Sequence, residues 1–154
     1  MRPLSSQAYN QRRDDLYSRF DRLGRVLLQD LGSNRATRKL VVDLFVPGQV
    51  ESIPDEAHFR YQEWWRLSPL GWQRIRYDYD YFDLVSGDRR GYHLHPLEAG
   101  AAAVPHAIFE GAGGVGAGRH YTAFEVDLLA AHEEFEAQYV SGRPIDPRGL
   151  RAID

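Results

Sequence analysis

The sequence predicts an α+β domain: a curved antiparallel sheet of about five strands, flanked by a long N-terminal helix and a C-terminal helix. Three observations predict it. Apolar residues recur at three- and four-residue steps near the N-terminus, alternate with a period of two between residues 39 and 110, and return to helical spacing after residue 122. Turn signals such as Ser68-Pro69-Leu70-Gly71 and the SGDRRG segment at 86–91 separate the alternating runs, as hairpins require. At 154 residues with 43% hydrophobic and 12% aromatic content, the chain can bury one core and is the length of one domain.

Residues 5–31 read as the first helix. Ser5 or Ser6 caps it, Leu16, Phe20, Leu23, Leu27 and Leu31 form its apolar stripe, and Gly32 with Ser33-Asn34 ends it. Arg12, Arg13, Arg19, Arg22 and Arg25 lie largely off that stripe and make the outer face basic. Residues 39–46 (KLVVDLFV) are a short strand stopped by Pro47-Gly48, and the polar, proline-containing stretch 49–57 is a loop. Residues 58–67 alternate, with Phe59, Tyr61, Trp65 and Leu67 on one face and Arg60, Gln62, Trp64 and Arg66 on the other. Residues 72–83 alternate most strictly: Ile75, Tyr77, Tyr79 and Tyr81 share one face, Arg74, Arg76, Asp78 and Asp80 the other. After the turn at 86–91, Tyr92 and Leu94 join the tyrosine face, which sets His93 and His95 beside Asp78 and Asp80; a slip of one residue would reverse this. Residues 104–110 form a further strand, the glycine-rich loop follows at 111–118, and Thr122 with Glu125 fits a capping box opening a helix over 123–140, with Val126, Leu129, Phe135 and Tyr139 inward. The tail, 141–154, docks loosely.

Composition excludes several chemistries. Without cysteine there is no disulfide, thiolate metal site or cysteine nucleophile. No apolar run approaches the ~20 residues that span a bilayer, and the N-terminus lacks the apolar core of a secretory signal. The expectation is a soluble cytoplasmic protein without membrane contact. The net charge of −3 is uneven: residues 1–40 carry nine cations against four acids, whereas residues 41–154 carry ten arginines against eighteen acids. The basic part is either the solvated face of a helix or a surface for RNA or an acidic partner chain.

Asp78, Asp80, His93 and His95, with Arg74 and Arg76, form the strongest constellation. A His-x-His pair on a strand aims both imidazoles the same way. That suits acid–base catalysis, in which a carboxylate fixes the tautomer and arginines hold a phosphate. It also suits a metal with a third ligand, His106 or an aspartate. The plain alternative is a solvated polar face. His106 and His120 flank the glycine loop and reach the site if that loop folds back; His58 and His132 are expected to have no chemical role. Gly111, Gly113 and Gly116 match GxGxxG, but no parallel strand leads from them into a helix, so a lid or connector is the better reading. Gly87, His93, His95 and Glu98 approximate the first metal motif of cupins, although the glutamate comes too early and no second motif is visible. Trp64 and Trp72 fall on polar faces, where they could stack nucleic-acid bases or pack on a partner.

The run RIRYDYDYFDLVSGDRRGYHLHP, preceded by HFRYQEWW and followed by a closing helix, resembles the TumE-like toxins of prokaryotic toxin–antitoxin pairs over residues 58–140. The matching residues are Arg76, Tyr77 and Asp78, then His93 and His95. The resemblance implies a toxin neutralised by an antitoxin protein. Together with the histidine pair it leads to the expectation of a metal-independent ribonuclease that needs no cofactor: His93 and His95 as acid and base, Asp78 or Asp80 orienting one of them, Arg74 or Arg76 on the phosphate, and Trp64, Trp72, His106 and His120 contacting RNA. The alternatives are a non-catalytic protein- or RNA-binding module, alone or as a homo-oligomer, and a cupin-like metal enzyme.

Overall fold

The computed structural model describes residues 2–31, 36–46, 56–111 and 119–141. Helix α1 (Ser6–Phe20) is followed by seven strands, β1 (Gly24–Leu31), β2 (Thr37–Val46), β3 (Ala57–Ser68), β4 (Gly71–Asp83), β5 (Arg89–His95), β6 (Val104–Glu110) and β7 (Arg119–Thr122), and then by α2 (Leu128–Ser141). The strands form one antiparallel meander in sequence order, β1 to β7. The fold is thus the expected α+β class with two more strands. The expected stops at 32–34 and 47–48, the loop over 49–55, the glycine loop over 112–118 and the tail after 141 lie outside the described residues.

Each extra strand has a physical reason. Ser5 caps α1 as expected, its hydroxyl accepting from the Ala8 amide at 3.1 Å, but the helix ends at Phe20 and the chain turns through Leu23, whose amide donates to the Phe20 carbonyl at 2.9 Å. The stripe Leu23, Leu27, Leu31 misled because a step of four keeps residues on one face in both a helix and a strand. Val26 and Leu28, on the alternate face, are the residues that pack on the core. Gly24 permits the pairing: a Cβ there would stand 2.2 Å from the Asp43 carbonyl oxygen. At the other end, Thr122 belongs to β7 and Glu125 is drawn to Arg74 (3.1 Å), so the capping box does not form. Asp127 caps α2 instead, its carboxylate accepting from the Leu129 amide at 3.0 Å.

Both helices pack on the same face of the sheet. Leu16 and Phe20 of α1 and Leu128, Ala131 and Phe135 of α2 cover Leu40, Val42, Leu44, Phe59, Tyr61, Tyr77, Tyr79 and Tyr81. His132 belongs to this core, where burial lowers its pKa and Tyr61 meets its Nδ1 at 2.9 Å. Beside it, Tyr9 stacks on Trp72 with centroids 4.6 Å apart, and Trp65 closes the group. Trp72 is therefore a core residue under α1 and offers no face to a base, contrary to the expectation.

A second departure lies in β4. Trp64 pairs with Arg76 and Trp65 with Arg74, so Ile75 is the extra residue of a β-bulge. The bulge shifts the alternation by one and turns Arg74 onto the helix-covered face, away from Arg76. There Arg74 meets Glu63, a carboxylate wholly buried in β3. Arg12 Nη2 donates to Glu63 at 2.8 Å, Trp65 Nε1 at 2.8 Å and Arg74 Nη1 at 3.3 Å, and the Tyr79 hydroxyl donates to the same group. Arg12 also pairs with Asp127 at 2.7 Å, and Arg74 donates to the Val126 carbonyl at 2.9 Å. These contacts tie α1, the sheet and the entry to α2 together.

Burial alone would raise the Glu63 pKa; Arg12 and Arg74 reverse this and hold it below the ordinary value. A carboxylate depressed in the folded state contributes stability above its unfolded pKa and loses it as pH falls through the folded one. Glu63→Gln should therefore cost about 3 kcal/mol at neutral pH by leaving two buried guanidinium groups short of an anion. In denaturant unfolding repeated from pH 7 downward, the gap between wild type and variant should narrow below about pH 4.5. A gap independent of pH would mean that the carboxylate charge is not what stabilises.

Candidate metal centre

The sheet face opposite the helices carries the polar residues of β4 to β7. Asp78 pairs across strands with His93, and His93 with His106; in the next row Asp80 pairs with Gly91, Gly91 with Ile108 and Ile108 with His120. Direct pairing of β5 with β6 brings His106 to His93, and β7 then adds His120. His106 touches His95 and His120 with ring centroids 4.6 and 4.9 Å away, and His93 lies 5.6 Å from it.

The proton positions follow from the hydrogen bonds. His93 Nε2 faces Asp80 Oδ1 at 3.0 Å, His95 Nδ1 faces the Pro96 carbonyl at 2.9 Å, and His106 Nδ1 faces the Val104 carbonyl at 3.0 Å. A carbonyl and an ionised carboxylate only accept, so each of these nitrogens is the N–H. Asp80 is held ionised, since His93 and Arg89 outweigh its burial and lower its pKa. In its neutral form each ring keeps one lone pair, on His93 Nδ1, His95 Nε2 and His106 Nε2. The first two stand 3.4 Å apart. Among the described residues His106 Nε2 is buried with no hydrogen-bond partner, and burial pushes the pKa of that imidazole down to about 4, so it is neutral at pH 7.

One nitrogen from each of His93, His95 and His106 lies within 4.8 Å of the other two. Two nitrogens on one tetrahedral zinc, at 2.0–2.1 Å, are about 3.3 Å apart, so the His93–His95 spacing already fits and the widest spacing closes by roughly 1.5 Å around an ion. The second ring nitrogen of each ligand is tied to a protein oxygen, the arrangement that fixes tautomer and ring orientation at metal sites. Beneath it, Arg89 holds Asp80 through Nη2 at 2.8 Å and Nε at 3.0 Å. Gly91 makes room for this pair: a Cβ there would stand 2.6 Å from Asp80 Oδ1 and 2.9 Å from His93 Nε2.

Of the residues singled out from sequence, His93, His95, His106, His120, Asp78, Asp80 and Arg76 share this face, while Arg74 and Trp72 do not. Arg76 is clamped to Asp78 at 2.7 Å. Trp64 lies on the face, but Arg76 and Lys39 stand 4.4 and 4.6 Å from its ring centroid. Arg89, Gly91 and Lys39 were missed, although continuing the alternation back from His93 and His95 places Arg89 and Gly91 on the same face. The meander order also differs from a cupin jelly roll, which is built from Greek keys. No family model matches the chain, and neither a curated protein nor a solved structure matches it significantly.

Two variants test the support of His93. Asp80→Asn should weaken divalent-metal binding about 10–100-fold while far-UV circular dichroism stays unchanged. Gly91→Ala should split the Asp80–His93 pair at a cost of about 1–3 kcal/mol, and nitrogen-15 spectra of the His93 ring should show its fixed tautomer lost. An unaltered His93 signature in Gly91→Ala would refute the close approach.

Proposed function

We propose that the protein is a divalent-metal-dependent hydrolase whose ion is held by His93, His95 and His106. The observation that carries this reading is the convergence of one ring nitrogen from each of three imidazoles, each ring also having a nitrogen engaged by a protein oxygen. Three histidines leave a fourth tetrahedral position for water or substrate, as in catalytic zinc sites. An ion bound there would polarise the substrate and lower the pKa of water toward neutrality. The protein's own residues keep the site oriented: Asp80 engages His93 Nε2 and so would leave Nδ1 for an ion, Arg89 holds Asp80, and the Pro96 and Val104 carbonyls engage Nδ1 of His95 and His106. Asp78, the cross-strand partner of His93, is a second carboxylate on this face that could take a proton from water.

A second reading is favoured by the Asp80–His93 pair itself. It is a carboxylate-oriented imidazole of the kind a metal-independent ribonuclease uses, and with the resemblance to TumE-like toxins it makes the chain an RNA-cleaving toxin paired with an antitoxin. Elemental analysis separates the two. The metal reading expects one divalent ion per chain in purified wild type, and loss of that ion in His95→Ala with the fold retained. A wild type that stays metal-free when Zn²⁺, Co²⁺ or Ni²⁺ is supplied, yet cleaves RNA in a His93-dependent way, would overturn it in favour of the second.

A further inference from the structure

The charges around the histidine cluster specify what kind of substrate it takes. All three metal-facing nitrogens are neutral donors, so they would leave an ion's double charge intact. The two nearest carboxylates are each matched by a cation, Asp78 by Arg76 at 2.7 Å and Asp80 by Arg89 at 2.8 Å, with Arg89 shared with Glu110 at 3.5 Å. On the side of Asp78 away from Arg89, two cations lie together. Lys39, Trp64 and Arg76 lie in one row across β2, β3 and β4. Lys39 Nζ stands 4.6 Å from the Trp64 ring centroid and the Arg76 guanidinium carbon 4.4 Å, contacts that hold both cations in place. Among the described residues, Lys39 makes no ion pair. The last paired residues of β4 and β5 are Tyr77 and Leu94, and Arg76 and His95 are the residues that follow them on the two strands.

We infer that the substrate carries an oxyanion, a phosphate or carboxylate group, that bridges the ion held by His93, His95 and His106 and the Arg76 guanidinium, with Trp64 positioning Arg76 and Lys39 adding a second positive charge. This rests on the metal reading above. The half-exposed Arg76 presents donors in a planar fork suited to two oxygens of one anion, so it can turn from Asp78 to the ligand without leaving Trp64. Trp64 thus serves as a platform for a cation, whereas a base-stacking role would need both of its neighbours displaced.

The test uses the full chain loaded with Co²⁺, with metal content measured first and inorganic phosphate or acetate then titrated by calorimetry and by the cobalt visible spectrum. The expected result is binding of phosphate or acetate to the loaded protein and not to the metal-free one, the stronger of the two naming the oxyanion. Arg76→Gln should retain one ion per chain and bind that anion at least about tenfold more weakly. Trp64→Leu should show a smaller loss in the same direction, which Lys39→Gln should share. Stoichiometric cobalt with no anion binding, or Arg76→Gln binding as wild type does, overturns the oxyanion inference and leaves the metal reading standing. Failure to take up cobalt overturns both.

Discussion

The architecture turns on one buried charge. Glu63 has no access to water, and removing a carboxylate from water costs several kcal/mol unless its hydrogen-bonding capacity is matched inside the protein. The match comes from four directions: Arg12 on α1, Trp65 on the same strand, and Arg74 and Tyr79 on the neighbouring one. Arg12 and Arg74 are in turn completed by Asp127 and Glu125, at the approach to α2. Because the two helices meet the sheet around this point, both lie on its tyrosine face. The polar face is left to the histidines. Position on the chain and position in the fold thus separate two charged clusters that sequence alone presents as one, since Arg74 and Arg76 are only two residues apart.

The histidine face shows the opposite economy. His106 is as buried as Glu63, but nothing in it is as densely paired, and its geometry comes from regular pairing. Once Tyr79 opposes Tyr92, Asp78 must oppose His93, and the next ladder sets His93 against His106. Four histidines reach one neighbourhood because three consecutive strands are in register, without any unusual loop. The Asp80–His93–Arg89 group then requires the missing side chain at Gly91, where a Cβ would crowd both Asp80 and His93.

Much of this was legible in the residues. The fold class, the β6 boundaries at 104 and 110, the Ser5 cap and the shared face of Asp78, Asp80, His93 and His95 all follow from period and turn signals. What was not legible has specific causes. The leucines at 23, 27 and 31 satisfy helix and strand periods equally, so β1 was hidden inside a helical stripe. Strict alternation in β4 conceals a bulge, because a bulge leaves the local pattern intact and shows only against the partner strand, here between Trp64 and Trp65. A buried glutamate in an alternating strand looks like any exposed one until its partners from residues 12 and 74 are known. β7, with four residues, is too short to display a period at all.

The strand order bears on how the molecule assembles. In a sheet whose spatial order equals its order along the chain, each new strand adds to the edge just made, so each step closes only a short stretch of chain and contact order within the sheet stays low. The histidine face, spread over residues 78–120, can therefore be completed by the growth of neighbouring hairpins. The Glu63 knot differs: it joins Arg12 and Asp127, which are separated by most of the chain. The distant ends are thus held by ion pairs that converge on a buried carboxylate, where loop-closure entropy works hardest against them.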